Sequence, residues 1–285
     1  MTDVATASPP ELTRVVEIAP PPTRSDEFKR LVALTWTLAL SDWKLRFYGS
    51  VLGLAWTLVR PFALFGVIYF VFTEIAGLDK SVHHYGVYIL FGLVLFAFFT
   101  ETTSNSVQAL VSRESLLRKM QFNPIVIPLA ISITALLNLG MTLIAVFIFA
   151  IGSGVYPSVG WLELPVVILL LFLFATGVGM LLSVLYVRYR DVQPIWEVIS
   201  QMLFYASAIL FVATRIDPSY RQYILLNPIA ALLTQTRQGL VDADAPSLFY
   251  LMGWKSVVPI ALIFGTFAVG LWFFERESPR VAENL

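Results

Sequence analysis

Six long apolar segments, separated by short polar connections, constrain this chain more than any other feature of its sequence. A bilayer core about 30 Å thick is crossed by roughly 20 helical residues, because each residue of an α-helix adds about 1.5 Å. The segments are apolar on every face, whereas membrane β-strands alternate between apolar and polar side chains. The sequence therefore predicts an all-α integral membrane protein with six transmembrane helices, at 51–72, 85–102, 124–151, 162–187, 195–212 and 256–274.

Composition indicates the same class of protein. Of the 285 residues, 58% are hydrophobic and only 13% are charged, and the mean hydropathy is +0.77. A water-facing fold of this length does not bury so much apolar surface. The net charge of +0 and the lack of a basic cluster in the sequence argue against a nucleic-acid partner.

The positive charges predict the orientation in the membrane. An even number of spans puts both termini on one side, and the more basic side is normally cytoplasmic. The Lys and Arg residues on the side of the termini are Arg24, Lys29, Arg30, Lys44, Arg46, Arg113, Arg118, Lys119, Arg188, Arg190, Arg276 and Arg280. We therefore expect cytoplasmic termini, with a proline-rich disordered tail at 1–24 that has no signal peptide, and a second tail at 275–285. Residues 25–285 then form one membrane domain.

Residues 25–40 form a separate predicted element ahead of the first span. Ser25 suits a helix N-cap, and Asp26 and Glu27 suit the positive end of a helix. The residues expected on one face are Phe28, Leu31, Val32, Thr35 and Ala39. We interpret the element as an amphipathic interface helix along the inner membrane surface. It either anchors the chain to lipid or also contacts a cytosolic partner, and both interpretations stay open.

The connection at 213–253, between the fifth and sixth predicted spans, is too long for a turn and too apolar for a free linker. Asn227-Pro228 interrupts it, and proline suits a helix start while disfavouring helix in the preceding residue. We predict two short helices that meet at Pro228. Neither is long enough to cross a membrane, so both are expected to dip back into the protein at the outer face.

Motifs of common catalytic chemistry are missing from the sequence. It has no G-x-x-x-x-G-K-[ST] phosphate-binding loop and no cysteine, so the chain is not itself a P-loop ATPase or a cysteine enzyme. A membrane-embedded transferase or phosphatase needs acids and bases on one surface, and no such set is found in the sequence.

Ion-driven transport normally needs ionisable side chains near the middle of the membrane. Glu101 and Glu197 instead fall near predicted span ends, which argues against this kind of transport. Arg60 lies inside the first span, where it either reaches the inner surface or lines a path for an anion.

Aromatic residues are numerous, with 22 Phe, 11 Tyr and 7 Trp. Most are expected at the membrane interfaces and against lipid. Aromatic faces also pack against the C–H faces of sugar rings, so some are candidates for lining a path for sugars. These conduit candidates are Tyr69, Phe70, Phe96, Phe99 and Tyr205, with Phe72, Phe98 and Phe204 as further possibilities.

Small residues recur at spacing four in two of the spans. The fourth span has Ala175, Gly179 and Ser183, and the sixth has Ala261 and Gly265. Such rows let helices approach closely, either within one subunit or at a dimer seam.

The run DWKLRFYGSVLGLAW at 42–56, followed by Arg60-Pro61, resembles the entry motif of ABC-2 type permeases that export polysaccharides such as O-antigen, the Wzm, KpsM and TarG group. Further matches in the family's order are Asn105, Arg118-Lys119, Phe122, Arg190-Asp191, Asn227-Pro228 and Arg237. The resemblance covers nearly everything from Ser25 onward. Many members have Ser-Pro-Ile late in the fifth span, where this chain has Ser207-Ala208-Ile209.

The resemblance implies a multi-pass homodimer in the bacterial inner membrane, joined to two copies of a cytosolic P-loop ATPase. ATP and Mg²⁺ would bind that partner, and this chain would hold no cofactor and catalyse no reaction. The expected ATPase contacts are the 25–40 helix and the coupling segment 104–122, with Phe28, Arg30, Arg113, Arg118 and Lys119. The 218–241 helices resemble an outer gate, with Tyr223, Asn227, Pro228 and Arg237.

The substrate implied by the resemblance is a polysaccharide, commonly linked to undecaprenyl diphosphate. We hypothesise that Lys44, Arg46 and Arg60 receive the diphosphate headgroup, although these cations are also suited to setting orientation alone. An ABC-2 exporter of a small hydrophobic molecule or drug shares the six-span plan and is the competing interpretation. The 42–56 run and the many aromatic residues favour a sugar substrate.

Overall fold

The computed structural model describes residues 24–48, 53–75, 77, 83–115 and 123–284, and their regular structure is entirely helical. The first half of the chain contains α1 (Arg24–Phe47), α2 (Gly53–Phe70), α3 (Tyr85–Val107), α4 (Ala109–Ser112), α5 (Val126–Gly152) and α6 (Glu163–Arg188). The second half contains α7 (Val192–Ala206), α8 (Pro218–Leu225), α9 (Pro228–Thr236), α10 (Leu248–Met252) and α11 (Val257–Asn284). Two π-helical turns, Val71–Ile75 and Arg237–Val241, continue α2 and α9.

Among the described residues, five helical stretches are long and apolar enough to cross a membrane, at Ala55–Ile75, Tyr85–Val107, Val126–Gly152, Val159–Arg188 and Leu248–Ser278. They confirm five of the predicted spans. The span predicted at 195–212 is not confirmed, because α7 has 15 residues and ends at Ala206. A helix of that length is about 22 Å long and does not cross a core of about 30 Å alone. The chain turns after α7, and Ala208 has a φ of 53°.

Helix α3 lies at the centre of the bundle and packs against α2, α5, α6 and α7. Most of its side chains are buried. The Phe99 ring stacks on Phe174 of α6, with ring centroids 5.4 Å apart. Phe96 packs edge-on against Phe204 of α7 at 5.3 Å. Lipid tails are as apolar as these side chains, so the hydrophobic effect does not drive helices together inside a membrane. Close packing of this kind holds them together instead.

Helix α3 continues past its predicted end at 102 because its polar side chains bond to its own backbone. Thr103 Oγ1 donates to the Phe99 carbonyl at 2.9 Å, and Ser106 Oγ donates to the Thr102 carbonyl at 2.7 Å. These bonds offset the cost of placing hydroxyl groups in apolar surroundings. Glu101 thus lies within α3 and near its end at Val107, in agreement with the predicted place near a span end.

Helix α1 departs from the predicted surface helix in length and in position. It runs to Phe47 as one helix of 24 residues and packs along α5. The predicted apolar face is divided, since Thr35 and Ala39 are buried whereas Phe28 and Val32 are 68% and 48% exposed. The second half of α1 is thus part of the bundle, and its first half projects from it.

Small residues bring α6 close to two neighbouring helices. Ala175, Gly179 and Ser183 are buried, and a Cβ added to Gly179 would lie 2.7 Å from Ser106 Oγ on α3. Packing within one subunit is therefore confirmed for this row. The row at Ala261 and Gly265 lies instead on the exposed side of α11.

Gly177 of α6 provides a test of the α6–α11 contact, since a Cβ at this position would lie 2.6 Å from the Phe267 Cα. We expect Gly177→Ala to destabilise the protein by about 1–3 kcal/mol, because a helix backbone does not yield as a side chain does. Gly140→Ala on α5 is the control, with no atom within 4 Å of the added Cβ. It should be neutral or stabilising by up to about 1 kcal/mol. Equal thermal unfolding midpoints in detergent for the two variants would contradict the contact.

Candidate functional site

One face of α1 is bonded to the bundle through polar groups. Residues three and four apart are neighbours on a helix. We call the four residues of this face the polar seam: Ala39, Asp42, Trp43 and Arg46. Thr134 Oγ1 of α5 donates to the Ala39 carbonyl at 3.1 Å, and Trp43 Nε1 donates to Asn138 Oδ1 of α5 at 3.0 Å. The two partners are also one turn apart, so α1 and α5 run side by side.

Glu101 joins the polar seam to α3. The Arg46 guanidinium forms an ion pair with the Glu101 carboxylate, and Asn138 Nδ2 donates to the same carboxylate oxygen at 2.6 Å. The Arg46 side chain is 44% exposed and that of Glu101 is 23% exposed. A carboxylate within an apolar bundle is costly unless it has such partners. Polar bonds therefore run without interruption from Trp43 through Asn138 and Glu101 to Arg46.

A second ion pair joins Asp42 of the seam to Arg113, which directly follows α4. Both side chains are mostly buried, and Arg113 Nη1 has no hydrogen-bond partner in the part of the chain that the structure describes. Arg113 belongs to the predicted coupling segment. Helix α1, which includes the predicted 25–40 interface helix, is consequently bonded to the predicted coupling segment.

The short helices at 218–241 form as predicted and meet at Pro228. Asn227 caps α9 by accepting a hydrogen bond from the Ile229 amide at 3.0 Å, and its Nδ2 donates to Ser207 Oγ at 3.0 Å. Asp217 caps α8 in the same way, and its bond from Ser219 lowers the pKa of the Asp217 carboxyl below its usual value. The bond from Asn227 to Ser207 attaches the start of α9 to the end of α7.

The turn after α7 is bonded to the first part of α3. The Tyr88 hydroxyl donates to the Ala208 carbonyl, and the Tyr85 hydroxyl donates to the Leu210 carbonyl at 2.6 Å. Ala208 has no exposed surface. Buried carbonyl groups need such donors, because an unpaired one costs about as much as a lost hydrogen bond.

A family profile described as ABC-2 type transporter matches residues 33–241, which include the polar seam, the turn after α7 and both short helices. The chain belongs to the ABC-2 type transporter family. The matched region ends at Val241, before α10 and α11.

Curated relatives of this ABC-2 chain cover most of its length. It is 24% identical over 249 residues to the O-antigen export system permease protein RfbA of Klebsiella pneumoniae, covering 86% of this chain and 92% of the relative. It is 25% identical over 251 residues to a protein of the same name from Myxococcus xanthus, covering 87% and 94%. It is 22% identical over 218 residues to the polysialic acid transport protein KpsM of Escherichia coli, covering 75% and 84%.

The predicted ATPase-coupling residues of this ABC-2 chain lie in different surroundings. Phe28 and Arg30 are exposed on the projecting half of α1, and Phe28 is 68% exposed. Arg113 is engaged with Asp42. Arg118 and Lys119 lie outside the described residues. The exposed half of α1 thus remains available to a partner, whereas the Arg113 charge is already paired within the chain.

The predicted headgroup residues also differ in their pairing. Lys44 on α1 and Arg60 on α2 are exposed, and neither forms an ion pair with any residue that the structure describes. Arg46 is paired with Glu101 but stays 44% exposed. All three cations are thus accessible, although Arg46 already has an anionic partner.

The structure separates the predicted conduit aromatics into exposed and buried residues. Phe70 and Tyr205 are 59% and 66% exposed, whereas Tyr69 is half-buried and stacks on Phe65 of its own helix. Phe96 and Phe99 are core residues, 6% and 0% exposed, and neither faces an open path in this structure. They were chosen for residue type alone, but their position on the central helix buries them.

The predicted gate residues are split in the same way. Pro228 is the buried first residue of α9, and Arg237 is mostly buried with its guanidinium 3.5 Å from the Asp242 carboxylate. Tyr223 on α8 is 74% exposed. The predicted gate helices are therefore held in place by bonds of Asn227 and Arg237, and Tyr223 lies on their exposed side.

Sequence reasoning missed Asp42, Trp43, Glu101 and Asn138 as members of one polar cluster. The available signal was a charged or amide side chain within an otherwise apolar segment. The sequence predicts Glu101 near a span end and Asn138 within the third span, and no local pattern connects the two. Their shared location only becomes visible when α1 packs along α5.

The left-handed backbone of Ala208 generates a prediction about the turn after α7. Proline requires a φ near −65°, whereas Ala208 has a φ of 53°. Ala208→Pro should therefore destabilise this protein by more than about 1 kcal/mol. Ala208→Gly is the control, because glycine adopts positive φ without strain. Thermal unfolding in detergent measures both, and an Ala208→Pro variant as stable as the parent would refute the assigned backbone.

Proposed function

We propose that this chain is the transmembrane permease subunit of an ATP-driven ABC exporter that moves a polysaccharide, such as O-antigen, galactan or teichoic acid, across the bacterial inner membrane. The observation that carries the proposal is the set of relatives named for O-antigen export and for polysialic acid transport. Each of these matches covers at least three quarters of the chain. They favour a sugar polymer over a small hydrophobic molecule or drug.

The proposed assembly is a homodimer with two copies of a cytosolic P-loop ATPase, which holds the ATP and Mg²⁺. The projecting half of α1, with Phe28 and Arg30 exposed, is suited to contact the ATPase. The Asp42–Arg113 ion pair supports joint movement of α1 and the coupling segment, because it bonds them directly. Both termini are cytoplasmic in this arrangement.

The proposed sixth crossing consists of α7 followed by the connection at 207–256. Helix α7 alone is too short, but the turn after it is buried and bonded to Tyr85 and Tyr88. Helix α9 is buried over most of its length, which fits a helix that re-enters the protein from the outer face. We assign α8 and α9 to the outer gate.

The proposed conduit runs along α7. Glu197, Gln201 and Tyr205 form an exposed row at spacing four on this helix. Polar side chains that face lipid are costly, so such a row fits a water-filled path or a second subunit. Tyr205 adds an aromatic face on which a sugar ring packs. Phe70 of α2 is the other predicted conduit aromatic that is largely exposed.

The proposed substrate carries an undecaprenyl diphosphate group, recognised by Lys44, Arg46 and Arg60. Arg and Lys form charge-assisted hydrogen bonds with phosphate oxygens. The exposed side chains of Lys44 and Arg60 are free to do so.

Deletion of the gene tests the function. Loss of the chain should remove surface polysaccharide and cause lipid-linked glycan to accumulate inside the cell, and a plasmid copy should reverse both effects. Gel analysis of surface glycan and mass spectrometry of lipid extracts provide the measurement. Intact surface polysaccharide without internal accumulation contradicts the proposal and favours a small-molecule exporter.

Replacing Tyr205 tests the conduit, with Phe99 as the matched aromatic control. Tyr205→Ala should lower the export rate about ten-fold, which corresponds to about 1.4 kcal/mol, while the complex still assembles. Phe99→Ala leaves a cavity in the core and should cost about 3–5 kcal/mol of folding stability, with loss of protein from the membrane. Normal export by a well-expressed Tyr205→Ala variant would remove Tyr205 from the path.

A further inference from the structure

Arg46 is the most accessible member of the cluster that joins α1 to the bundle. Its side chain is 44% exposed, whereas those of Glu101, Arg113 and Asp42 are between 21% and 27% exposed. Ion pairs with an exposed partner are weak, since water solvates the separated charges well. Arg46 is therefore able to leave its carboxylate for a stronger anionic partner.

Release of Arg46 leaves α1 attached to the bundle. The Ala39 carbonyl keeps its bond from Thr134, Trp43 keeps its bond to Asn138, and Asp42 keeps Arg113. The other three seam residues thus hold α1 in place without Arg46.

Release of Arg46 also leaves Glu101 with a partner. Asn138 Nδ2 donates to the same carboxylate oxygen at 2.6 Å, and Asn138 is itself oriented by the Trp43 indole. A partly buried carboxylate without any donor would make the release costly. Asn138 removes much of this cost, so the cluster is built to exist with and without the Arg46 bond.

We propose that Glu101 is a built-in competitor for the anionic headgroup: it holds Arg46 in the resting chain, and an arriving diphosphate displaces it from the guanidinium. The inference rests on the proposed function, because it names the ligand of Arg46 as a lipid diphosphate. Phosphate groups accept paired hydrogen bonds from a guanidinium and carry more charge than one carboxylate.

The competition has a measurable consequence for affinity. A ligand binds only the fraction of molecules in which Arg46 is released, so its apparent Kd is raised by the Glu101 pair. Removing the Glu101 charge makes Arg46 permanently available. An exposed ion pair of ordinary strength corresponds to about two- to five-fold tighter binding in the variant.

The test uses the full chain with its ATPase partner in lipid vesicles that contain a polyprenyl diphosphate. Glu101→Gln should bind the lipid about two- to five-fold more tightly, measured by direct binding and by the half-maximal concentration for ATPase stimulation. Arg46→Gln should weaken binding, and the Arg46→Gln/Glu101→Gln double variant should show no gain over Arg46→Gln. Glu74→Gln is the control, since Glu74 is an exposed carboxylate in the π-helical turn after α2 that forms no ion pair with any residue the structure describes, and its affinity should be unchanged.

Several results would overturn the proposal. They are unchanged affinity in a folded Glu101→Gln variant, an equal gain in Glu74→Gln, or a gain that persists without Arg46. If Glu101→Gln does not assemble, Glu101→Asp serves instead, with a smaller gain expected because its carboxylate reaches less far. Inorganic pyrophosphate should bind less tightly than the lipid, and equal affinity would overturn the assignment to a lipid headgroup.

Failure of the competition is distinguishable from failure of the proposed function. If gene deletion removes surface polysaccharide but Glu101→Gln has no effect, only the competition is wrong. If surface polysaccharide persists after deletion while Glu101→Gln shows the gain, Arg46 and Glu101 compete for a diphosphate in a transporter of another substrate.

Discussion

The burial of α3 among four other helices is the constraint on which the rest of the structure depends. Its apolar middle is held by close packing, and its two ends are held by polar bonds to different elements. Glu101 near one end is bonded to α1 and α5, and Tyr85 and Tyr88 at the other end are bonded to the turn after α7. Hydrogen bonds are directional and are strong in an apolar environment. The bonds at its two ends therefore fix the position of α3 and also stabilise it.

Much of the fold was predictable because membrane helices must satisfy their backbone internally and have a minimum length. That rule predicts five of the spans correctly. It fails at 195–212, because this segment combines a short helix that ends at Ala206 with a largely buried apolar turn at 207–212. Hydropathy alone does not distinguish such a turn from a continuing helix. The end of α3 was misplaced for the converse reason, since Thr103 and Ser106 satisfy their hydroxyl groups on the helix backbone and let it continue.

The candidate site was predictable by residue type but not by partner. The sequence predicts Lys44, Arg46 and Arg60 as headgroup residues from their positive charge, and the structure leaves all three exposed. The partners of Arg46 and Arg113 lie on other elements, so no local pattern connects them. Aromatic residues show the same limit: Phe99 and Tyr205 are equally plausible from the sequence, yet one is fully buried and the other is largely exposed.

The bonds at the two ends of α3 differ in their exposure to water, and this difference has a mechanical consequence. The Arg46–Glu101 pair is partly exposed, so exchange of its partner costs little. The Tyr88 bond to Ala208 is buried, and breaking it would leave a carbonyl without a donor. The Arg46–Glu101 bond at the seam end of α3 is therefore the more easily exchanged, whereas the other end of α3 is held firmly to the turn between α7 and the short helices. Since Asn227 attaches α9 to Ser207 in that same turn, the buried end of α3 is bonded through the turn to the helices predicted to form an outer gate.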